Sequence, residues 1–147
     1  YVQDGNESIA RSQLHLEADA WATARPEEAL ILAFIGLPSQ EQRMAQYTVG
    51  VPDARGERYA SFVAQTLVPQ VDEALRTRAQ ARWRGVKGAS LGGLISYWIA
   101  TQHPTIFGYV AGMSSSFWWE DQLMVRELAR LQREAVASET PRLSVWA

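Results

Sequence analysis

The chain has no cysteine, which excludes disulfides, thiolate catalysis and cysteine-ligated metals, and leaves the redox compartment open. Its two histidines, His15 and His103, lie too far apart in sequence to suggest a metal site, so no metal or other cofactor is expected. A basic stripe is also missing. The 14 Lys and Arg residues are scattered among 16 Asp and Glu, for a net charge of −2, and neither nucleic acid nor an anionic membrane surface is expected as a partner. The longest apolar run, "ALILAFIGLP", falls well short of the roughly 18 residues of a membrane span and follows two glutamates. No internal repeat or domain linker is visible. The phosphate-binding patterns G-x-G-x-x-G and G-x-x-x-x-G-K-[ST] are absent, which removes a nucleotide loop.

What is present suits one globular domain: 147 residues, 47% apolar and 20% charged. The opening "YVQ" reads as the tail of a strand, and "PRLSVWA" as a strand cut off at its end. The expectation is therefore a single incomplete domain, with something missing on both sides. Between these ends, turn chemistry at "DGNES" leads to a helix around Ser12 to Thr23. Residues 29–36 ("ALILAFIG") read as a strand buried on both faces, and 38–56 as a long polar loop. Apolar positions from Tyr59 to Leu75 predict a helix that Pro69 should kink. "RWRGVKG" reads as a strand, Leu91 to Ile99 as a helix, and 108–114 as a strand. Residues 120–136 then form a helix, and a last strand begins near Arg142. This alternation implies an α/β fold, a mostly parallel sheet with helices on both faces and ligands bound beyond the carboxyl ends of its strands.

One such end carries a motif. "GASLG" (Gly88 to Gly92) fits G-x-S-x-G, in which a serine sits on a sharp turn from strand to helix. Glycines two before and two after relieve crowding there, and the helix N-terminus offers the Leu91 N–H and its dipole to an oxyanion. The bare pattern is weak evidence, but the strand before it and the helix after it are the context it requires. Ser90 is thus the candidate nucleophile, with an ordinary glycine-rich bend as the bland alternative.

A serine hydroxyl needs a base within about 3 Å, and that base needs an orienting acid. On this sheet type the order is Ser, acid, His. His103 is the only downstream histidine, at the far end of the helix that Ser90 opens. That separation is roughly 20 Å, which excludes it as the base. It reads instead as a helix-terminal residue whose charge suits the dipole. His15 reads as a surface-helix residue. The later carboxylates Glu120, Asp121, Glu127, Glu134 and Glu139 mostly fall on a polar helix face, not at a strand end.

"DGN", "RMAQYT", "ERYASFVAQTLVPQVDEALRT", "GASLGGLISYWIATQHPTIFG" and "SSSFWW", in that order, resemble the esterase branch of the α/β-hydrolases that includes the enterochelin (ferric siderophore) esterases. The resemblance runs over nearly the whole chain. It implies that Ser90 is the nucleophile and that Leu91 contributes an oxyanion N–H. A second donor would come from the "DGN" turn near Asn6. It also implies that Arg43 is the arginine of an "R..EYT" segment, in which Gln46 replaces the glutamate, and that Trp118 and Trp119 are an aromatic pair near the mouth of the site. The family's acid and histidine would follow the strand in "PRLSVWA". Arg43 reads equally as an ion-pair partner for a loop carboxylate or a contact for an anionic substrate. Trp118 and Trp119 read equally as packing aromatics or as pocket walls, and Asn6 as a turn former whose N–H remains available.

Two functions follow from this reading. One is a serine hydrolase that cleaves small carboxylic esters, such as siderophore-type esters, through an acyl-enzyme on Ser90. It would be inactive where the acid and histidine are missing. The other is a non-catalytic binding module that keeps the fold. In both, an exposed sheet edge invites self-association.

Overall fold

The computed structural model describes residues 1–138 and 144–146. Strands β1 (Gly85–Ala89), β2 (Tyr109–Met113) and β3 (Ser144–Trp146) form a parallel sheet in the order β1-β2-β3. Gly85 pairs with Tyr109 and Ala89 with Met113, while Tyr109 also pairs with Ser144 on its other side. Next to β1, Val2 forms parallel bridges with both Lys87 and Phe34. The Gln3 N–H donates to the Lys87 carbonyl, and the Val2 N–H to the Ala33 carbonyl. Both bridges and both strand pairings are parallel, as an alternation of strands and crossover helices requires.

Seven helices accompany the sheet among the described residues: α1 (Gly5–Ala10), α2 (Leu14–Ala24), α3 (Gln40–Tyr47), α4 (Gly56–Phe62), α5 (Val68–Ala74), α6 (Leu91–Gln102) and α7 (Trp119–Ser138). Helix α6 is apolar over most of its surface, and such a helix belongs in a core. It buries Leu91, Leu94, Ile95, Tyr97 and Ile99, and packs along β1 and β2 with α3, α4 and α7 against it. Val86 and Val110 complete this core from the sheet, and Val63, Val68 and Phe107 from its surroundings.

Several elements differ from the expectation. The "DGNES" turn is already helical, because Asp4 takes a left-handed conformation (φ 52°, ψ 48°) and starts α1 at Gly5. The expected helix around Ser12 to Thr23 begins slightly later, at Leu14. Residues 29–36 are not buried on both faces: Leu30 is 64% exposed and Ile31 48%. Only Phe34 of this run bridges Val2, so an apolar run by itself does not fix what lies over it. The polar loop at 38–56 contains α3, whose N-cap Ser39 accepts a hydrogen bond from the Gln42 N–H. At the kink expected at Pro69 the helix instead opens into one wide turn, Val63–Leu67, and Pro69 stands in the first turn of α5, where its missing N–H is tolerated. Helix α7 opens with three left-handed residues, Glu120, Asp121 and Gln122, before Met124 enters the core. The expected start of the last strand at Arg142 lies outside the described residues, as does Glu139.

Candidate functional site

Ser90 joins the end of β1 to the start of α6 at φ 55°, ψ −123°, a left-handed backbone that a non-glycine residue adopts only when its surroundings hold it. Three backbone bonds hold it here. Its N–H donates to the Met113 carbonyl at 3.0 Å, and its own carbonyl accepts from the Ser116 and Leu94 N–H groups, each at 3.1 Å. The turn closes only because Gly88 has no side chain: a Cβ there would lie 2.2 Å from the Gly92 carbonyl oxygen. The serine side chain is left exposed at the strand end.

Ser116 is a neighbour that the sequence reading passed over inside "SSSFWW". Its hydroxyl lies 3.2 Å from the Ser90 Oγ, and the residue is buried at 2% exposure. The signal was faint because three serines stand in a row and only the tertiary fold selects one. Leu91 is buried at the first position of α6, where its N–H has no intrahelical acceptor.

A cleft of about 290 Å³ opens at Ser90, lined also by Gln3, Asp4, Glu7, Lys87, Met113 and Arg43. Arg43 is not a free cation. Its Nε and Nη2 donate to the two Asp4 carboxylate oxygens at 2.6 and 2.9 Å, and these bonds hold its pKa above the ordinary value. Of the two readings of Arg43, the loop-carboxylate partner is the one observed. The ion pair is made with Gln46 standing where the glutamate would be.

The Asn6 side chain turns away from the cleft, its amide donating to the Leu37 carbonyl at 3.5 Å and its Oδ1 lying over Gly36. The Gly5 N–H is committed to the Ile35 carbonyl, which leaves the backbone N–H of Asn6 as the group this turn offers. Trp118 is 70% exposed. Trp119 is half-buried, and its indole N–H donates to the Val49 carbonyl at 2.9 Å, so it ties the loop after α3 to the start of α7. Neither tryptophan lines the Ser90 cleft.

Neither histidine lines the cleft. His103 caps the far end of α6, where burial lowers its pKa and favours the neutral ring over the expected charged one. His15 is exposed on α2. Glu127 and Glu134 both pair with Arg130 along α7. Among the described residues no cluster of ligating side chains could hold a metal ion.

A family model described as "Esterase: Putative esterase" matches residues 1–147. The chain belongs to this esterase family. An uncharacterized protein of Bacillus subtilis (strain 168), YbbA, is 30% identical over 131 residues, which are 82% of this chain and 50% of that protein. The enterobactin esterase FES from Shigella flexneri, solved in the presence of 2,3-di-hydroxy-N-benzoyl-serine, superposes with a TM-score of 0.75 at 19% identity, covering 89% of this chain and 34% of that one. Siderophore hydrolase EstA from Aspergillus nidulans also gives 0.75 at 19% identity, covering 99% of this chain and 54% of that one. This likeness establishes the α/β-hydrolase fold for this chain. The chain spans about half the length of the curated relative that it matches.

Proposed function

We propose that this chain carries the nucleophile segment of an ester hydrolase, with Ser90 attacking the carbonyl carbon of a small-molecule carboxylic ester. The observation that supports it most is the Ser90 turn: an exposed hydroxyl on a strained backbone, clamped between β1, α6 and the Ser116 turn. Strain of this kind costs on the order of 1–3 kcal/mol and persists where function requires the geometry.

In this reading the Ser90 Oγ bonds to the carbonyl carbon while its proton passes to a general base. The oxyanion is received by the N–H groups of Leu91 and Asn6. Collapse expels the alcohol and leaves an acyl group on Ser90, which water then removes. The base and its acid come from the part of the relatives' length that this chain does not span. The names of the structural neighbours favour siderophore-type esters as the substrate class.

A fluorophosphonate probe tests the reading. The protein as its gene encodes it is expected to be labelled at Ser90, and the 147-residue polypeptide alone is not. Labelling of the short form would show that a base is already present in it. Absence of labelling in both forms would leave the non-catalytic binding module as the better account.

A further inference from the structure

We propose that Arg43 and Asp4 are positioning residues for the oxyanion-binding turn, and that Arg43 does not anchor a charged substrate. The inference rests on the hydrolase reading of Ser90. It begins with the backbone of Asp4, which stands in the left-handed region at φ 52°, ψ 48° immediately before Gly5 and Asn6. An aspartate tolerates that conformation better than most residues but still needs external support.

Support arrives from one face of α3. Arg43 and Tyr47 are four residues apart on that helix and so project together. Arg43 grips the Asp4 carboxylate in a two-pronged bond at 2.6 and 2.9 Å, with both side chains largely buried. The Tyr47 hydroxyl accepts the Asp4 N–H at 2.9 Å, and the guanidinium lies 5.2 Å from the Tyr47 ring centre. Tyr47 is fully buried, and burial pushes its pKa up to about 12, so the phenol stays neutral. A third element closes the arrangement. A Cβ on Gly92 would lie 2.7 Å from the Asp4 Oδ2, so the same carboxylate rests against the first turn of α6.

One carboxylate therefore ties together the "DGN" turn, α3 and the helix that Ser90 opens. Turning Asp4 would move the Asn6 N–H relative to the Leu91 N–H, and an oxyanion site loses strength when its donors shift. Substrate anchoring fits less well. Both carboxylate oxygens of Asp4 are already bonded to Arg43, so an arriving anion would meet a neutralised pair.

The test uses the protein as its gene encodes it, with 4-nitrophenyl butyrate as the neutral ester and mono-4-nitrophenyl glutarate as the anionic one. Arg43→Lys keeps the charge and loses the fork, while Asp4→Asn keeps the tolerance for a left-handed backbone and loses the charge. Each is expected to lower kcat on both esters by a similar factor of about 10 to 100, with KM changed less than about threefold. The double variant is expected to be no worse than the poorer single one. A rise in KM confined to the anionic ester in Arg43→Lys would overturn the proposal, as would an unchanged kcat in both variants. Tyr47→Phe keeps the ring and removes only the acceptor for the Asp4 N–H. It covers the case in which an ion-pair variant fails to fold, with a smaller fall in kcat expected and none overturning the proposal. If the wild type neither turns over nor labels at Ser90, the hydrolase reading fails separately. Amide hydrogen exchange over residues 4–8 then decides the positioning role, with faster exchange expected in each variant and unchanged exchange overturning it.

Discussion

Ser90 is held in a conformation that its own side chain disfavours, and the cost falls on the stability of the fold. Ser90→Gly removes that cost because glycine adopts φ 55° freely. It is expected to raise stability by about 1 kcal/mol in urea denaturation while abolishing probe labelling at this position. An equal or lower stability would mean that the turn is unstrained. Tyr47 supplies a second test at this scale. Burial raises its pKa from 10.0 to about 12. A phenol raised in this way contributes stability fully below pH 10, and the contribution is lost as pH rises through 12. In that window the unfolded chain has released its proton and the folded one has not, so stability is expected to fall by about 1.4 kcal/mol per pH unit. Tyr47→Phe should show a shallower decline in the same titration of denaturation midpoints.

Among the elements, α3 links the composition of a polar loop to the candidate site. It has eight residues, one of them buried, so little of its stability comes from packing its own apolar face. The Ser39 cap therefore matters. Ser39→Ala is expected to cost about 0.5–2 kcal/mol, and Ser39→Asn to restore most of it, both measured by thermal or urea unfolding. Because Arg43 and Tyr47 ride on this helix, fraying at its start would reach the Asp4 turn. The pattern Ser39-x-x-Gln42 fits a capping box, but the prolines and glycines around it have the composition of a loop, and only the fold shows which signal wins.

For the molecule as a whole, the described residues leave exposed apolar side chains around a cavity of about 890 Å³ beside the sheet. Trp21, Leu30, Ile31, Trp83 and Tyr109 line it and are each at least 40% exposed. Patches of this kind promote association. The 147-residue polypeptide is expected to sediment as a mixture of associated species that shift with concentration. A stable, monodisperse monomer would show that this surface is closed in solution. Helix α6 and the strands around it, with their dense buried contacts, should resist hydrogen exchange longest.

The sequence by itself determined the alternation that makes the sheet parallel, the position of α6 and the serine at the end of β1, because these rest on local periodicity and on glycines spaced for one tight turn. It also showed that His103 stands too far along its helix to serve Ser90. The tertiary structure alone decided that Arg43 pairs with Asp4, because the two are 39 residues apart and periodicity carries no information across that distance. It alone chose Ser116 from three adjacent serines, 26 residues beyond Ser90. It also left Leu30 and Ile31 exposed and outside any strand where an apolar run had suggested a buried one, because burial depends on what packs over a segment and not on the segment's own residues.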